Sequence, residues 1–433
     1  MQNDISLAKV KQFPPLMWIL LFGSFITRGS FYMVWPFLAV ILYEKFALSA
    51  TQVGLVLSSA AVVSVFVSFI GSSLSDRIGR HKLMYATGVL YIISFTLLAN
   101  VNSVPGFVVV ITLCSIATAL WRPLTSALIG DLIDDSSTRE LAMQSMYFVV
   151  NVGCAVGPMV GVWFGLTGEQ SSFYITTVAF AILLILLKLG FSDHHKRTVE
   201  QTGAQNKQAS EQLDTSESAV TEVDTKEETL GMKQILKILV QDRLLQCLIL
   251  ANVICMFVYA QMDSSLIQYL TRSEVPNLLE LISSLIFTNA LIIISTQFLL
   301  LKLMAKYSIV MRIQMGLILL LVSQFWMAFN PVNLYWGWIG AVVIMSLAET
   351  ILFPTMNVHI DRIAPDHLRG AYFGAASFYD FGFALAPLGG GIILDLWGGS
   401  TLFLIAAGLT LVVMVLYAVV EKLPRPEVAN QAS

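Results

Sequence analysis

The chain has 433 residues, 56% of them apolar and only 12% charged, with a formal net charge of −3. Its mean hydropathy of +0.76 excludes a water-soluble domain of this size and identifies an integral membrane protein. Most apolar segments reach about 20 residues, the length at which a helix crosses roughly 30 Å of hydrocarbon, and none keeps the period-2 alternation of a β-barrel strand.

Twelve helical spans are predicted, at about residues 15–42, 50–75, 82–100, 106–131, 140–166 and 172–190, then 243–270, 279–301, 308–330, 334–360, 369–397 and 399–420. The first apolar run is too long for a cleavable signal peptide and shows no small-residue cleavage site, so it is kept as span 1. Lys and Arg gather in the tails and in the connections after spans 2, 4, 6, 8 and 10, as Lys9, Arg77, Arg139, Lys196, Lys302, Arg362 and Lys422 illustrate. The opposite loops hold only Lys45 and Arg272. The positive-inside rule then puts both termini in the cytoplasm, the arrangement expected in a bacterial inner membrane.

Span 1 carries Arg28 within Thr27-Arg28-Gly29-Ser30-Phe31, the only charged residue between Lys11 and Glu44. A charge at that depth should face the protein interior. Tyr32 and Trp35 follow it, Trp121 and Arg122 stand together in span 4, and Tyr147 lies in span 5. Span 5 continues with Gly153-Cys-Ala-Val-Gly157-Pro158-Met-Val-Gly161. Its small residues permit close helix approach, and Pro158 can bend the helix. Cys114, Cys154, Cys247 and Cys255 all fall in apolar spans without CxxC spacing and read as small core residues.

Residues 192–240 shift to Gln, Glu, Ser, Thr, Asp and Lys, a composition that buries no core and is expected to be largely disordered. His194 and His195, beside Lys196 and Arg197, read as a solvated cap of span 6 rather than a metal site. The segment divides the chain into six-span bundles at 1–191 and 241–433. The bundles echo each other: Pro123, Arg139 and Gly157-Pro158 recur as Pro354, Arg369 and Ala386-Pro387, and span 11 holds Gly382, Gly389, Gly390 and Gly391 around its own proline. Such duplication is typical of transporters whose substrate site lies between the repeats near the midplane.

Three acids stand inside second-half spans: Asp263 in the outer part of span 7, Glu349 in span 10 and Asp380 in span 11. Glu349 is more than ten residues from either end of its apolar run. A charge at that depth costs about 3 kcal/mol on insertion scales. Static ion pairing with Arg28 and Arg122 is one reading of these acids. The other is a proton site: low dielectric favours a neutral carboxyl, a nearby arginine opposes this, and a substrate entering between them drives proton release. Glu349 is the first candidate, Asp380 the second and Asp263 the third. Tyr32, Trp35, Trp121, Tyr147, Tyr259, Phe353 and Tyr379, close to these charges in sequence, are candidate walls of an aromatic cavity, which suits amphipathic or cationic compounds better than sugars.

After span 2 comes Ser72-Ser-Leu-Ser-Asp76-Arg77-Ile-Gly79-Arg80-His81-Lys82. It resembles the Gly-x-x-x-Asp-Arg-x-Gly-Arg-Lys signature of the major facilitator superfamily, with Ser72 for the first glycine and His81 at the last basic position. Gly79 permits the turn, and Asp76 and Arg80 can pair across helix ends in one conformation and part in another. The resemblance assigns a partner role to Asp131 at the end of span 4 and places Arg122 at the family's helix-4 arginine. Span 5 resembles the Gly-x-x-x-Gly-Pro-x-x-Gly-Gly motif of the superfamily's antiporters, with Val162 for the last glycine. Ala348-Glu349-Thr-Ile-Leu-Phe-Pro354 loosely resembles a helix-10 acid of its proton-coupled exporters.

The resemblance implies an all-α fold of twelve transmembrane helices in two pseudo-symmetric six-helix bundles, most similar to the drug:proton antiporters. It implies alternating access around a midplane site, a proton gradient as energy source and no cofactor. An exporter of an endogenous metabolite such as a siderophore or dipeptide, and a proton-driven nutrient importer, remain alternatives; an enzyme is not expected. No Gly-x-x-x-x-Gly-Lys-Ser/Thr sequence supports ATP drive. The expected partners are protons, a small-molecule substrate and the lipid bilayer, with no nucleic acid, and the expected state is a monomer.

Overall fold

A computed structural model describes residues 10–133, 135–212, 232–365 and 368–423, excluding side chains at 69–77, 122–123, 136–137, 140, 193–212, 232–236, 301 and 369–370. The first-half spans run Pro15–Phe46, Ala50–Ile78, Arg80–Leu98, Val104–Leu132, Ser136–Trp163 and Phe173–Gln212. Second-half spans 7 to 10 are Arg243–Arg272, Leu278–Met304, Ile309–Phe329 and Tyr335–Ile363. A final helical stretch, Ala371–Val420, covers 50 residues. At 1.5 Å per residue it is about 75 Å long, enough for two crossings and too long for one. Gly398, at φ 80° and ψ 175°, breaks it. Only glycine adopts such a backbone readily, so spans 11 and 12 turn back on each other there.

Each half has its own apolar core. One is built around Phe37, Phe95, Phe107 and Phe173, the other around Trp338, Met345, Phe403 and Tyr417. Polar side chains close several helix starts. Ser103 accepts from Gly106 N–H, Asp135 from Thr138 N–H, Asp242 from Leu245 N–H and Ser308 from Met311 N–H. Asp242 also accepts a 2.6 Å bond from the Tyr372 hydroxyl, tying span 7 to the start of span 11.

Part of the 192–240 linker is described. Span 6 continues as helix to Gln212, and another helix, Met232–Gln241, precedes span 7. Residues 213–231 of this linker lie outside the described residues. A polar segment without a core cannot nucleate a fold, but one that follows an apolar helix only extends it. Propagation over Lys, Arg, Gln, Ala and Glu is cheap once the first turn exists.

The two halves repeat one packing device. In the first, the glycines of span 5 lie against the backbone of span 1: a Cβ at Gly157 would collide with the Gly29 carbonyl, and one at Gly153 would press on Phe25, Arg28 and Gly29. In the second, a Cβ at Gly382 in span 11 would collide with the Val253 carbonyl in span 7. Here the small-residue motif sets interhelix distance. Gly157→Val is therefore expected to separate spans 1 and 5 and cost at least about 1–3 kcal/mol. The detergent-solubilised protein should melt several degrees lower, while Gly408→Ala, where a Cβ meets nothing, should leave the midpoint unchanged.

Candidate functional site

Glu349 stands fourteen residues from both Tyr335 and Ile363, the ends of span 10. Two donors converge on its Oε2, the Tyr259 hydroxyl at 2.6 Å and Asn289 Nδ2 at 2.8 Å. Asn289 also donates to Ser346 Oγ at 3.1 Å, and the Tyr259 ring meets Phe353 edge-on at 4.9 Å. Spans 7 and 8 thus hold the carboxyl in one orientation. Oε1 has no donor among the described residues, and Glu349 belongs to the wall of a cavity of about 410 Å³. That wall also includes Tyr147, Asn252, Phe353, Pro354, Tyr379 and Asp380. Its size falls in the range of small-molecule sites.

Arg28 and Tyr32 stand on span 1 and Cys154 on span 5, and none of the three lines this cavity. A Cβ at Gly153, next to Cys154 in span 5, would press on Arg28 and on the Phe25 carbonyl of span 1. Arg28 places its guanidinium carbon 5.9 Å from the Phe31 ring centroid. Asp263 occupies a π-helical turn, Met262–Leu266, an uncommon local geometry often found at functional positions. Span 1 is also irregular, with a 3₁₀ turn at Trp35–Phe37.

The sequence-predicted residues sort into distinct places. Glu349, Asp380, Tyr147, Phe353 and Tyr379 share the cavity wall, while Tyr259 supports Glu349 beside it. Trp121 is buried against Tyr91 and Phe180 and serves packing. Trp35 stacks on Phe31 at 4.7 Å. The side chains of Arg122, Asp76 and Arg77 lie outside the described residues. Gly79 makes its turn at φ 94°, and Arg80 pairs with Asp131 while donating to the Ala127 carbonyl at 2.8 Å. Cys114 and Cys255 are buried, and Cys154 and Cys247 are partly buried. Asn289 was not singled out by sequence. Its signal was a primary amide near the middle of span 8, a group that needs a partner in the membrane.

The contacts between halves concentrate at the end of the bundle remote from the chain termini. Asp395 accepts from Ala50 N–H at 3.0 Å and Thr51 N–H at 2.7 Å, and Leu388 N–H donates to Ser58 Oγ at 3.0 Å. Arg272 donates to the Leu48 carbonyl at 2.9 Å and lies over the Tyr43 ring at 4.6 Å. Backbone meets backbone here: a Cβ at Gly54 would strike the Pro387 carbonyl, and one at Gly391 the Ala50 carbonyl. The cavity lies nearer the other end, lined by the early part of spans 5, 7 and 11 and the late part of spans 8 and 10.

A sequence profile described as Major Facilitator Superfamily matches residues 20–381. The uncharacterized MFS-type transporter YqjV of Bacillus subtilis (strain 168) is 26% identical over 407 residues, covering 93% of each chain. The Na(+), Li(+), K(+)/H(+) antiporter of Planococcus maritimus is 24% identical over 412 residues, covering 90% of this chain and 92% of its own. The multidrug efflux pump LfrA of Mycolicibacterium smegmatis is 32% identical over 159 residues, 36% of this chain and 31% of its own. Among solved structures, a peptide transporter POT in complex with sulfate superposes with a TM-score of 0.71 at 16% identity, over 94% of both chains. At that identity the likeness speaks for the fold.

Proposed function

Since the chain belongs to the major facilitator superfamily and is a multi-pass membrane transporter, we propose that it exports amphipathic small organic molecules in exchange for protons. The observation that carries this reading is Glu349: a carboxyl at the middle of a span, held through Oε2 by Tyr259 and Asn289, on a residue that lines the cavity. Such a group exchanges a proton with the cavity without losing its orientation. With both termini in the cytoplasm, the cavity lies toward the cytoplasmic side. Substrate arriving there favours release of the proton inward. After the halves rock, substrate leaves outward, Glu349 reprotonates from outside, and the neutral form returns.

Export is favoured over uptake by the antiporter motif of span 5 and by relatives named as an antiporter and an efflux pump. The apolar and aromatic lining, including Met256, Phe353 and Tyr379, suits an amphipathic body. The test uses proteoliposomes with a pre-formed pH gradient, to which candidate amphipaths are added. Substrate-dependent collapse of the gradient is expected, and no collapse with any transported compound would sink proton exchange.

Tyr259→Phe is expected to weaken coupling without abolishing it. The substitution removes one of two bonds to Oε2, and a bond to a charged group contributes about 1.5–3 kcal/mol. The rate of substrate-driven proton movement should fall about tenfold or more, and the same vesicle assay reads it.

A further inference from the structure

Asn252 follows Arg243, the start of span 7, by nine residues and is only 2% exposed, yet it lines the cavity together with Glu349 and Phe353. Its carbonyl oxygen is already engaged, since the Tyr417 hydroxyl of span 12 donates to Oδ1. A phenol has a single proton to donate, Tyr417 is fully buried, and Asn252 Oδ1 is the acceptor it has among the described residues. Turning the amide over would remove that acceptor and strand the proton inside the membrane, so the bond fixes which way the amide points. Nδ2, in turn, has no acceptor among the described residues. The side-chain N–H groups of Asn289, Gln261 and Gln314, by contrast, all find protein acceptors. An amide donor inside a membrane span needs a partner, and the open space that Asn252 borders is the cavity.

We propose that Asn252 selects substrates carrying a neutral oxygen acceptor, such as a ketone, ester or amide carbonyl, and that Tyr417 positions its N–H donor for them. This rests on the transport reading above, since it takes the cavity as the substrate site. The charge of the wall decides against an anionic acceptor: Glu349 and Asp380 line the same cavity, and no Lys, Arg or His does among the described residues. A carboxylate or phosphate therefore meets like charge there, whereas a neutral carbonyl does not, so discrimination is built from repulsion as well as attraction. Met256, Ile293 and Phe353 supply apolar wall for the body of the molecule. The two polar groups are held by the same device, a tyrosine hydroxyl from another span, with Tyr259 on Glu349 and Tyr417 on Asn252. Their tasks divide: Glu349 carries the proton, and Asn252 reads the substrate.

The test measures binding to the purified full-length protein with two matched pairs of probes, each a ketone and the alkene in which a methylidene group replaces the carbonyl oxygen. One pair is built on butyrophenone bearing a terminal trimethylammonium group; the other, uncharged, is built on para-butylacetophenone. Within a pair, shape and charge are kept and only the acceptor is lost. In at least one pair the ketone should bind the wild-type protein about five- to tenfold tighter than the alkene. Asn252→Leu should bring the ketone down to the affinity of the alkene and leave the alkene unchanged, which separates loss of the donor from misfolding. Tyr417→Phe frees the amide to turn, so the advantage of the ketone should shrink while binding of the alkene holds. Equal affinities within both pairs, no binding in either pair, a ketone preference kept in Asn252→Leu, or an Asn252→Leu protein that weakens both members equally would each overturn the proposal. A preference kept in full in Tyr417→Phe would overturn the positioning. Coupling is read independently, in the proteoliposome assay. Ketone-selective binding with no substrate-driven proton movement removes proton exchange and leaves this assignment, whereas proton movement driven equally by ketone and alkene does the reverse.

Discussion

Glu349→Gln is expected to abolish substrate-driven proton movement in proteoliposomes while preserving the fold and substrate binding. Glutamine has the same shape, and its carbonyl oxygen can accept both bonds now made by Tyr259 and Asn289 at 2.6 and 2.8 Å. What it lacks is a site that takes and releases a proton. The variant also replaces a charge at mid-membrane depth by a neutral amide, so the melting midpoint should hold or rise. If substrate and proton compete through this carboxyl, wild-type affinity falls as pH falls, by at most about tenfold per pH unit for one proton. In Glu349→Gln, affinity should not vary with pH. Isothermal binding across a pH series measures this, and a slope retained in the variant would move the proton to Asp380 or Asp263.

Hydropathy made the spans legible because each crossing must satisfy its own backbone in lipid, which leaves one local solution, the helix. The Arg80–Asp131 pair was legible for a different reason, since a motif with a turn glycine at Gly79 fixes two helix ends close together. Partnerships across the bundle were not. Asn289 is 60 residues from Glu349, and Asp395 is 345 from Ala50. Composition carries no record of which faces meet at such separations. The glycines lie between these cases. Their spacing in span 5 announced a close approach, but only packing shows that Gly153 and Gly157 press on the turn of span 1 holding Arg28 and Gly29. The motif read in sequence as an antiporter mark therefore has a local physical task, to set how near Arg28 stands to Cys154 and Tyr32.

The second large effect is expected at Asp395. The first backbone N–H groups of a helix have no partner within it, and at span 2 they are satisfied by a carboxylate from the other half of the protein, through bonds of 3.0 Å to Ala50 and 2.7 Å to Thr51. A helix cap is worth about 0.5–2 kcal/mol, and an anion at a helix N-terminus gains further from the dipole. In an ordinary cap this energy stabilises one helix. Here it stabilises one arrangement of the halves, because the cap exists only while the end remote from the termini is closed. Asp395→Ala should thus shift the equilibrium toward separation at that end by about 5- to 30-fold. Spin labels at Asn102 and Asn333, in loops of opposite halves at that end, read the change as a longer distance population, with Cys114, Cys154, Cys247 and Cys255 replaced to leave the labels unique. Arg272, which bonds the Leu48 carbonyl from span 7, should have a smaller effect, since a neutral carbonyl gains less than a helix terminus from an opposing charge. An unchanged distance distribution in Asp395→Ala would mean that the close backbone contacts of Gly54 and Gly391 hold the closed end without it.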